Sequence, residues 1–299
     1  QGMSASQFFL YGKKHFTQTG YVNHAAKYTK TEQLEKLNLA GKVFVVTGAN
    51  SGIGREIAQF LFRQNGRVYM VCRDAGRAAK ARLEIIADTS HRDEDLVTVV
   101  ADCSLKADVQ RVASTLGRLE PAGVDALVCN AGALLSERTL TKDGVEATFA
   151  CHLLYGAYGL AKVMEPLLRA SAARGGTPRC VFVSSGGMYT TKWPTWEVGS
   201  SSAVVGVKEG EGEVPKYDGQ LAYAYCKRAQ VRRKPHTETP TSKQIKNVSY
   251  VSAHPGWTGT PGLVAVYGDK GAGGVCWLSA APKRVVGGAF YLDRRPQVR

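Results

Sequence analysis

The sequence predicts an α/β protein built on a doubly wound parallel sheet, and three observations carry that expectation. From Gly41 onward, short apolar runs rich in β-branched residues alternate with amphipathic stretches of helical period. The first run passes directly into a glycine-rich turn and then into a helix pattern. Polar and glycine residues gather at the ends of the runs, where sheets of this kind bind ligands.

Val43 to Val46 form a continuous apolar run, the pattern of a strand buried on both faces. It gives way to Thr47-Gly48-Ala49-Asn50-Ser51-Gly52-Ile53-Gly54 and then to residues 55–62, whose apolar positions suit a packed helix. Gly48 permits the tight turn, Gly52 lets main chain approach a pyrophosphate, and Gly54 lets the helix pack closely on the sheet. Free N–H groups and the positive end of the dipole at the helix start then hold phosphate. With Asn50, Ser51 and Ile53 between these glycines, the loop is a candidate dinucleotide cradle of Rossmann type.

The same alternation continues. Arg67–Cys72 is the second strand and 75–87 its helix; Leu96–Val100 is the third strand, closed by Ala101-Asp102-Cys103-Ser104. Ala126–Cys129 runs into Asn130-Ala131-Gly132, a long helix covers roughly 144–169, and Cys180–Val183 is the fifth strand. Nothing repeats and no linker divides the core, so residues 41–299 are expected to form a single domain. Residues 1–40 are an N-terminal extension, in which Gln1-Gly2 ahead of Met3 reads as a tag remnant. There Phe8, Phe9, Leu10, Tyr11, Phe16, Tyr21 and Tyr28 alternate with Lys13, Lys14, Lys27 and Lys30. Such a stretch either packs its aromatics on the core or lies on a membrane, so peripheral membrane contact through residues 4–30 is one expectation. An insert at about 188–219, rich in glycine, serine and acids around Trp193 and Trp196, is either a wall of the substrate site or a surface loop.

The strand ends carry the chemistry. Arg73 directly follows the second strand, where an acid would bind the ribose 2′-hydroxyl of NAD; a guanidinium there suits the 2′-phosphate of NADP. Asp74, one residue later, opposes that reading unless it caps the following helix. Tyr223 and Lys227 share one helix face at i and i+4, and an ammonium beside a phenol favours the phenolate. The tyrosine can then exchange a proton with a substrate oxygen near neutral pH. Tyr225 has Ala229 at the matching position instead of a lysine.

TGxxxGIG at 47–54, Asn-Ala-Gly at 130–132, a serine-ended fifth strand and Tyr-x-x-x-Lys at 223–227 together resemble the short-chain dehydrogenase/reductase family, from about Gly41 to Asp293. His-Pro-Gly-Trp at 254–257, Ser-Ser-Gly-Gly-Met at 184–188, Gly20-Tyr21 and the run 290–296 narrow the resemblance to the orphan member 12 branch. The resemblance implies that Tyr223 is the acid/base, that Lys227 assists it and holds the nicotinamide ribose, and that Ser185, ahead of Ser184, meets the reacting oxygen. It further implies that Asp102 reaches the adenine, that Asn130, Ala131 and Gly132 lie beside the cofactor, and that Pro255, Gly256 and Thr258 belong to the nicotinamide pocket.

There are two departures from the family pattern. His152 falls where the long helix normally carries a relay asparagine; it either relays protons itself or is a satisfied core histidine. After Lys227 the helix ends early at Arg232-Arg233-Lys234-Pro235, and 268–274 is thin where a substrate-covering segment belongs. The expectation is that chain is missing near 231–236 and 267–275. The function expected is an NADP(H)-dependent oxidoreductase, with NAD(H) the less suited cofactor. It moves hydride between nicotinamide and a carbonyl or alcohol carbon of a lipophilic small molecule. The alternative is a dinucleotide-binding protein with little turnover, a sensor or structural subunit.

Composition narrows the setting. A net charge of +14 fits nucleic acid or an anionic membrane surface, yet no nucleic-acid motif accompanies it. A solvated basic face that attracts a phosphate-rich cofactor is the simpler account, and nucleic acid is not an expected partner. The seven cysteines are scattered singly with no C-x-x-C pair. That argues against a metal site or disulfide framework and for a reducing, intracellular setting, foremost cytoplasmic. No apolar run approaches the ~18 residues that span a bilayer.

Overall fold

In a computed structural model, the runs read above become one sheet. The structure describes residues 3–27, 34, 36–89, 91–192, 200, 217–232, 247–256, 273–281, 285, 287–292 and 294–297. Strands β1 (Val43–Thr47), β2 (Arg67–Cys72), β3 (Leu96–Val100), β4 (Ala126–Cys129), β5 (Arg179–Val183), β6 (Ser249–His254) and β7 (Phe290–Leu292) are parallel. Strand β8 (Arg295–Gln297) closes the edge antiparallel to β7. The spatial order is 3-2-1-4-5-6-7-8, so the winding reverses between β1 and β4. Val45 stands opposite Tyr69 on one side and Leu127 on the other, which fixes the register around that reversal.

A strand buried along its whole length needs helices on both faces. Successive side chains of β1 go to opposite sides: Phe44 and Val46 join Ile57, Leu61 and Met70, whereas Val45 joins Tyr69, Leu116 and Met164. The first layer is supplied by α3 (Gly52–Arg63), α4 (Ala75–Ala87) and α9 (Gly273–Ala280). The second comes from α5 (Lys106–Leu119) and the long helix between β4 and β5. Helix α8 (Gly219–Arg232) packs beside that long helix.

The long helix departs from the simple reading. It begins as α6 (Ala147–Phe149) rather than near Gly144, whose φ of +72° holds it in the preceding turn. Glu146 caps it, accepting from the N–H groups of Thr148 and Phe149 at 2.9 and 2.7 Å. Residues Ala150–Gly159 are wound as a π-helix, and α7 (Leu160–Ala173) then runs four residues beyond the expected end. Stretches of π-helix concentrate at functional sites, and His152 lies in this one. Likewise β5 opens at Arg179, one residue early. A charged residue argues against a buried strand end, but its guanidinium donates to the carbonyls of Leu278 and Ala281 at 2.9 Å each. Burial there lowers its pKa to about 10.

The extension before β1 is helical: α1 (Ala5–His15) and α2 (Gln18–Ala25), capped by Ser4 and Thr17. Phe8 and Phe16 pack at the carboxyl ends of β5 and β6, against Gly186 and His254. Phe16 is buried, and the Met3 N–H donates to the Tyr189 carbonyl at 2.8 Å. No helix among the described residues is long and apolar enough to cross a membrane.

Candidate functional site

The turn after β1 is shaped by main chain. Gly48 has φ +66°, and a β-carbon there would stand 2.9 Å from the Ala131 α-carbon. A β-carbon on Gly54 would overlap the Gly48 carbonyl oxygen and the Asn130 amide. Helix α3 therefore starts directly against the ends of β1 and β4, as the reading of these two glycines required. Ser51, its N-cap, makes no side-chain capping bond to the first turn. Asn50, Ser51, Gly52 and Ile53 are half-buried around that helix start.

Helix α4 starts differently. Asp74 Oδ1 accepts the Arg77 N–H at 2.7 Å, so this carboxylate serves as a cap. Arg73 is 79% exposed, with its Nη1 3.9 Å from Asp102 Oδ2. The other oxygen of Asp102 accepts from the Ser104 N–H and O–H at 2.8 and 2.7 Å. Thus Arg73 and Asp102 meet at the open ends of β2 and β3.

At the ends of β4 and β5 side chains take over. On α8, Lys227 Nζ lies 5.4 Å from the centroid of the Tyr223 ring and donates to the Val183 carbonyl at 2.7 Å. Ser184 is buried, its hydroxyl given to the Lys227 carbonyl at 2.9 Å. Ser185 is half-buried and opens the single turn Gly186–Thr190, against which α8 packs. Its Oγ accepts the Gly187 N–H at 3.3 Å. Of the two serines, Ser185 has the hydroxyl able to reach a ligand.

His152 joins the two sides. Its ring stands edge-on to Tyr223, centroids 5.1 Å apart, and fills the space a β-carbon on Gly132 would need. The contact of its Nε2 with the Ala133 carbonyl at 2.9 Å requires a proton on Nε2. Nδ1 is then an acceptor, buried without a hydrogen-bond partner among the described residues. Burial, and after it the Lys227 charge, lower the pKa of His152 to about 3.

His254, at the end of β6, has the opposite arrangement. Its Nδ1 accepts the Gly186 N–H at 3.2 Å, so Nε2 carries the proton; that group is buried and unpartnered among the described residues. Burial lowers this pKa to about 3 as well. Phe16 stands edge-on to it at 4.3 Å, and Pro255 and Gly256 follow, half-buried. Thr258 and Trp257 lie outside the described residues, as do residues 193–199 and 201–216 of the insert, residues 233–246, and the thin run up to 272.

Two residues belong to this framework to which the motif reading gave no role. Thr47 is fully buried; its hydroxyl donates to the Val128 carbonyl at 3.3 Å and accepts from the N–H groups of Asn130 and Ala131 at 3.0 and 2.9 Å. Gln230 Nε2 donates to the His152 carbonyl at 2.6 Å, pinning the π-helix to α8. Spacing was the available signal: Gln230 follows Tyr223 at i+7 and Lys227 at i+3, on their helix face.

The short chain dehydrogenase family model matches residues 42–206. Dehydrogenase/reductase SDR family member 12 of Bos taurus is 31% identical over 98% of this chain and 88% of its own. Among solved structures, an uncharacterised protein of Mycobacterium paratuberculosis superposes with a TM-score of 0.67 at 24% identity, covering 89% of each chain. An NADPH-bound carbonyl reductase from chicken fatty liver does so with a TM-score of 0.58 at 23% identity, covering 84% of this chain and 96% of its own.

Proposed function

The chain belongs to the short-chain dehydrogenase family, and on that premise we propose that it is an NADP(H)-dependent oxidoreductase acting on a lipophilic carbonyl or alcohol. One observation carries the reading: the Tyr223–Lys227 pair is joined through His152 to Gly132 in the turn that would border the nicotinamide. The residues present suit a dinucleotide. The start of α3 has no side-chain cap, its glycines bring main chain close, and Arg73 is an exposed guanidinium at the end of β2. NADPH in a carbonyl reductase of the same fold is in keeping with that assignment. The bound nicotinamide supplies or accepts the hydride.

The side chains then have separate tasks. Tyr223 gives a proton to the carbonyl oxygen in reduction and withdraws it from the alcohol in oxidation. Lys227 presents its ammonium to the tyrosine ring and to the ribose hydroxyls. Ser185 orients the substrate oxygen. His152, uncharged, fixes the place of the Tyr223 ring and the Gly132 turn. A lipophilic substrate suits the aromatic group of Phe8, Tyr11, Phe16 and Tyr189, which stands beside the turn that Ser185 opens.

The test is a panel of lipophilic aldehydes, ketones and alcohols, followed by the absorbance of the reduced nicotinamide. On a substrate so found, Tyr223→Phe should lower turnover about 10²–10⁴-fold while leaving NADPH affinity nearly unchanged. Retention of most activity would remove Tyr223 from the mechanism. The second reading, dinucleotide binding without turnover, draws on the orphan Nδ1 of His152 in place of a relay asparagine. It requires NADPH binding with no conversion across the panel.

A further inference from the structure

Helix α1 has two unlike faces. One packs inward: Phe8, Tyr11 and Phe16 form ring contacts, and Phe16 continues to His254. The other turns out, with Phe9 60% and Leu10 66% exposed and Lys13 and Lys14 exposed on the next turn. Helix α2 adds Val22, 53% exposed, and Lys27 follows its end. Exposed large apolar side chains at successive positions of one helix, Phe9 and Leu10, suit a soft surface better than a groove-bearing one.

Charge says which surface. Residues 1–31 contain no aspartate or glutamate, while Lys13, Lys14, Lys27 and Lys30 fall within them. The outer face of α1 is thus apolar and cationic, with Phe9 and Leu10 beside the exposed Lys13 and Lys14, the complement of anionic lipid. Its place matters too. The inner face rests on Tyr189, Gly186 and the Phe16–His254 contact, at the mouth of the site, where a lipophilic substrate would enter. No described helix is long and apolar enough to cross a membrane, and the contact considered is a peripheral one.

We infer that α1 and α2 seat this protein on an anionic membrane surface. Phe9, Leu10 and Val22 enter the boundary between headgroups and acyl chains, and Lys13 and Lys14 meet the lipid phosphates and carboxylates. The inference stands whether or not the site turns over, because docking uses only the outward face.

Co-sedimentation of the full chain with vesicles tests it, using phosphatidylcholine alone and phosphatidylcholine mixed with phosphatidylserine. Binding is expected only to the mixed vesicles and should weaken as salt is raised. Phe9→Ser with Leu10→Ser, and separately Lys13→Glu with Lys14→Glu, should each weaken binding at least about tenfold. The midpoint of thermal unfolding should stay within about 2 °C, since exposed side chains are replaced. Absence of vesicle binding, as an acidic protein partner would give, overturns the inference. So does equal binding to both vesicle types, or variants that bind like wild type. Should the serine pair unfold the protein, Phe9 and Leu10 serve the fold, and the glutamate pair alone decides whether lipid is met.

Discussion

The two halves of the site are made of different material. Around the reversal between β1 and β4, the surface offered to a ligand is main chain: glycine turns, an uncapped helix start, and strand ends tied by the Thr47 hydroxyl. Around β5 and β6 it is side chain, where a buried lysine, two buried histidines and Ser184 each bond to a neighbouring element and Ser185 bonds within its own turn. Main-chain cradles tolerate little change but ask little of distant sequence. Side-chain constellations hold polar groups in a low dielectric, so each depends on partners from several elements. On the proposed function, the first half grips phosphates that never vary, and the second places one proton.

The strongest way to break that division is a residue that touches both halves. Lys227 donates to the Val183 carbonyl and faces Tyr223, and in the proposed mechanism it also holds the ribose. Lys227→Ala should therefore reduce turnover by about 10²–10⁴-fold and weaken NADPH binding together. Isothermal titration beside steady-state kinetics reads both. If affinity is untouched while turnover falls, the lysine belongs to the substrate half alone.

Arg73 sharpens the other side. A guanidinium meets the 2′-phosphate with charge-assisted hydrogen bonds, each contributing about 1.5–3 kcal/mol before solvent screening. With the side chain 79% exposed, screening is strong, and a preference for NADPH over NADH of about one to three decades is expected. Arg73→Ala should erase it and leave NADH affinity in place. Equal affinities in the wild type would show that Arg73 does not read the phosphate. Asp74 is not a competitor for that role, because its carboxylate is committed to the start of α4.

The buried histidines give the substrate half a pH signature. Both have pKa values lowered to about 3 by burial, whereas an unfolded histidine titrates near 6.5. Below about 6.5 the unfolded chain takes up protons that the folded chain refuses, so stability is lost as pH falls toward 3. Each histidine should lower it by about 1.4 kcal/mol per pH unit in that window. Urea unfolding at pH 7 and pH 5.5, for wild type and His254→Asn, isolates one of them; parallel behaviour of the two proteins would deny that His254 is neutral in the fold.

Legibility in the sequence follows the same division. The alternation of runs and turns gave the doubly wound parallel sheet, and the glycine spacing gave a helix directly after β1, although α3 begins at Gly52 rather than at residue 55, because both are local demands on the backbone. Tyr223 and Lys227 were readable for the same reason, being one helical turn apart. What escaped was the long-range part. Nothing near Phe16 says that it will pack on His254, and nothing near Gln230 says that its amide will hold the carbonyl of His152. The π-helix escaped too, since its wider winding leaves no mark on apolar spacing that an α-helical reading would detect. In the extension the packing reading holds for part of the aromatics: Tyr11 and Phe16 pack inward, and Phe9 is left exposed.

The smallest effect is expected at His152, and it separates a relay from a support. A relay must gain and lose a proton near the working pH, which here lies far above the His152 pKa of about 3. Its Nε2 proton is engaged with the Ala133 carbonyl, its ring is wedged between Gly132 and Tyr223, and the Lys227 charge opposes a second positive charge beside it. The ring is thus placed to support Tyr223 without titrating. His152→Asn, which restores the residue type of the family's long helix, should keep turnover within about tenfold of wild type. The pH–rate profiles of the two proteins should superimpose between about pH 5 and 8, differing in height alone. His152→Ala should cost more, because it opens a cavity beside the tyrosine ring and frees the Gly132 turn. A limb near pH 6 to 7 that is present in the wild type and missing from His152→Asn would show that the histidine carries a proton after all.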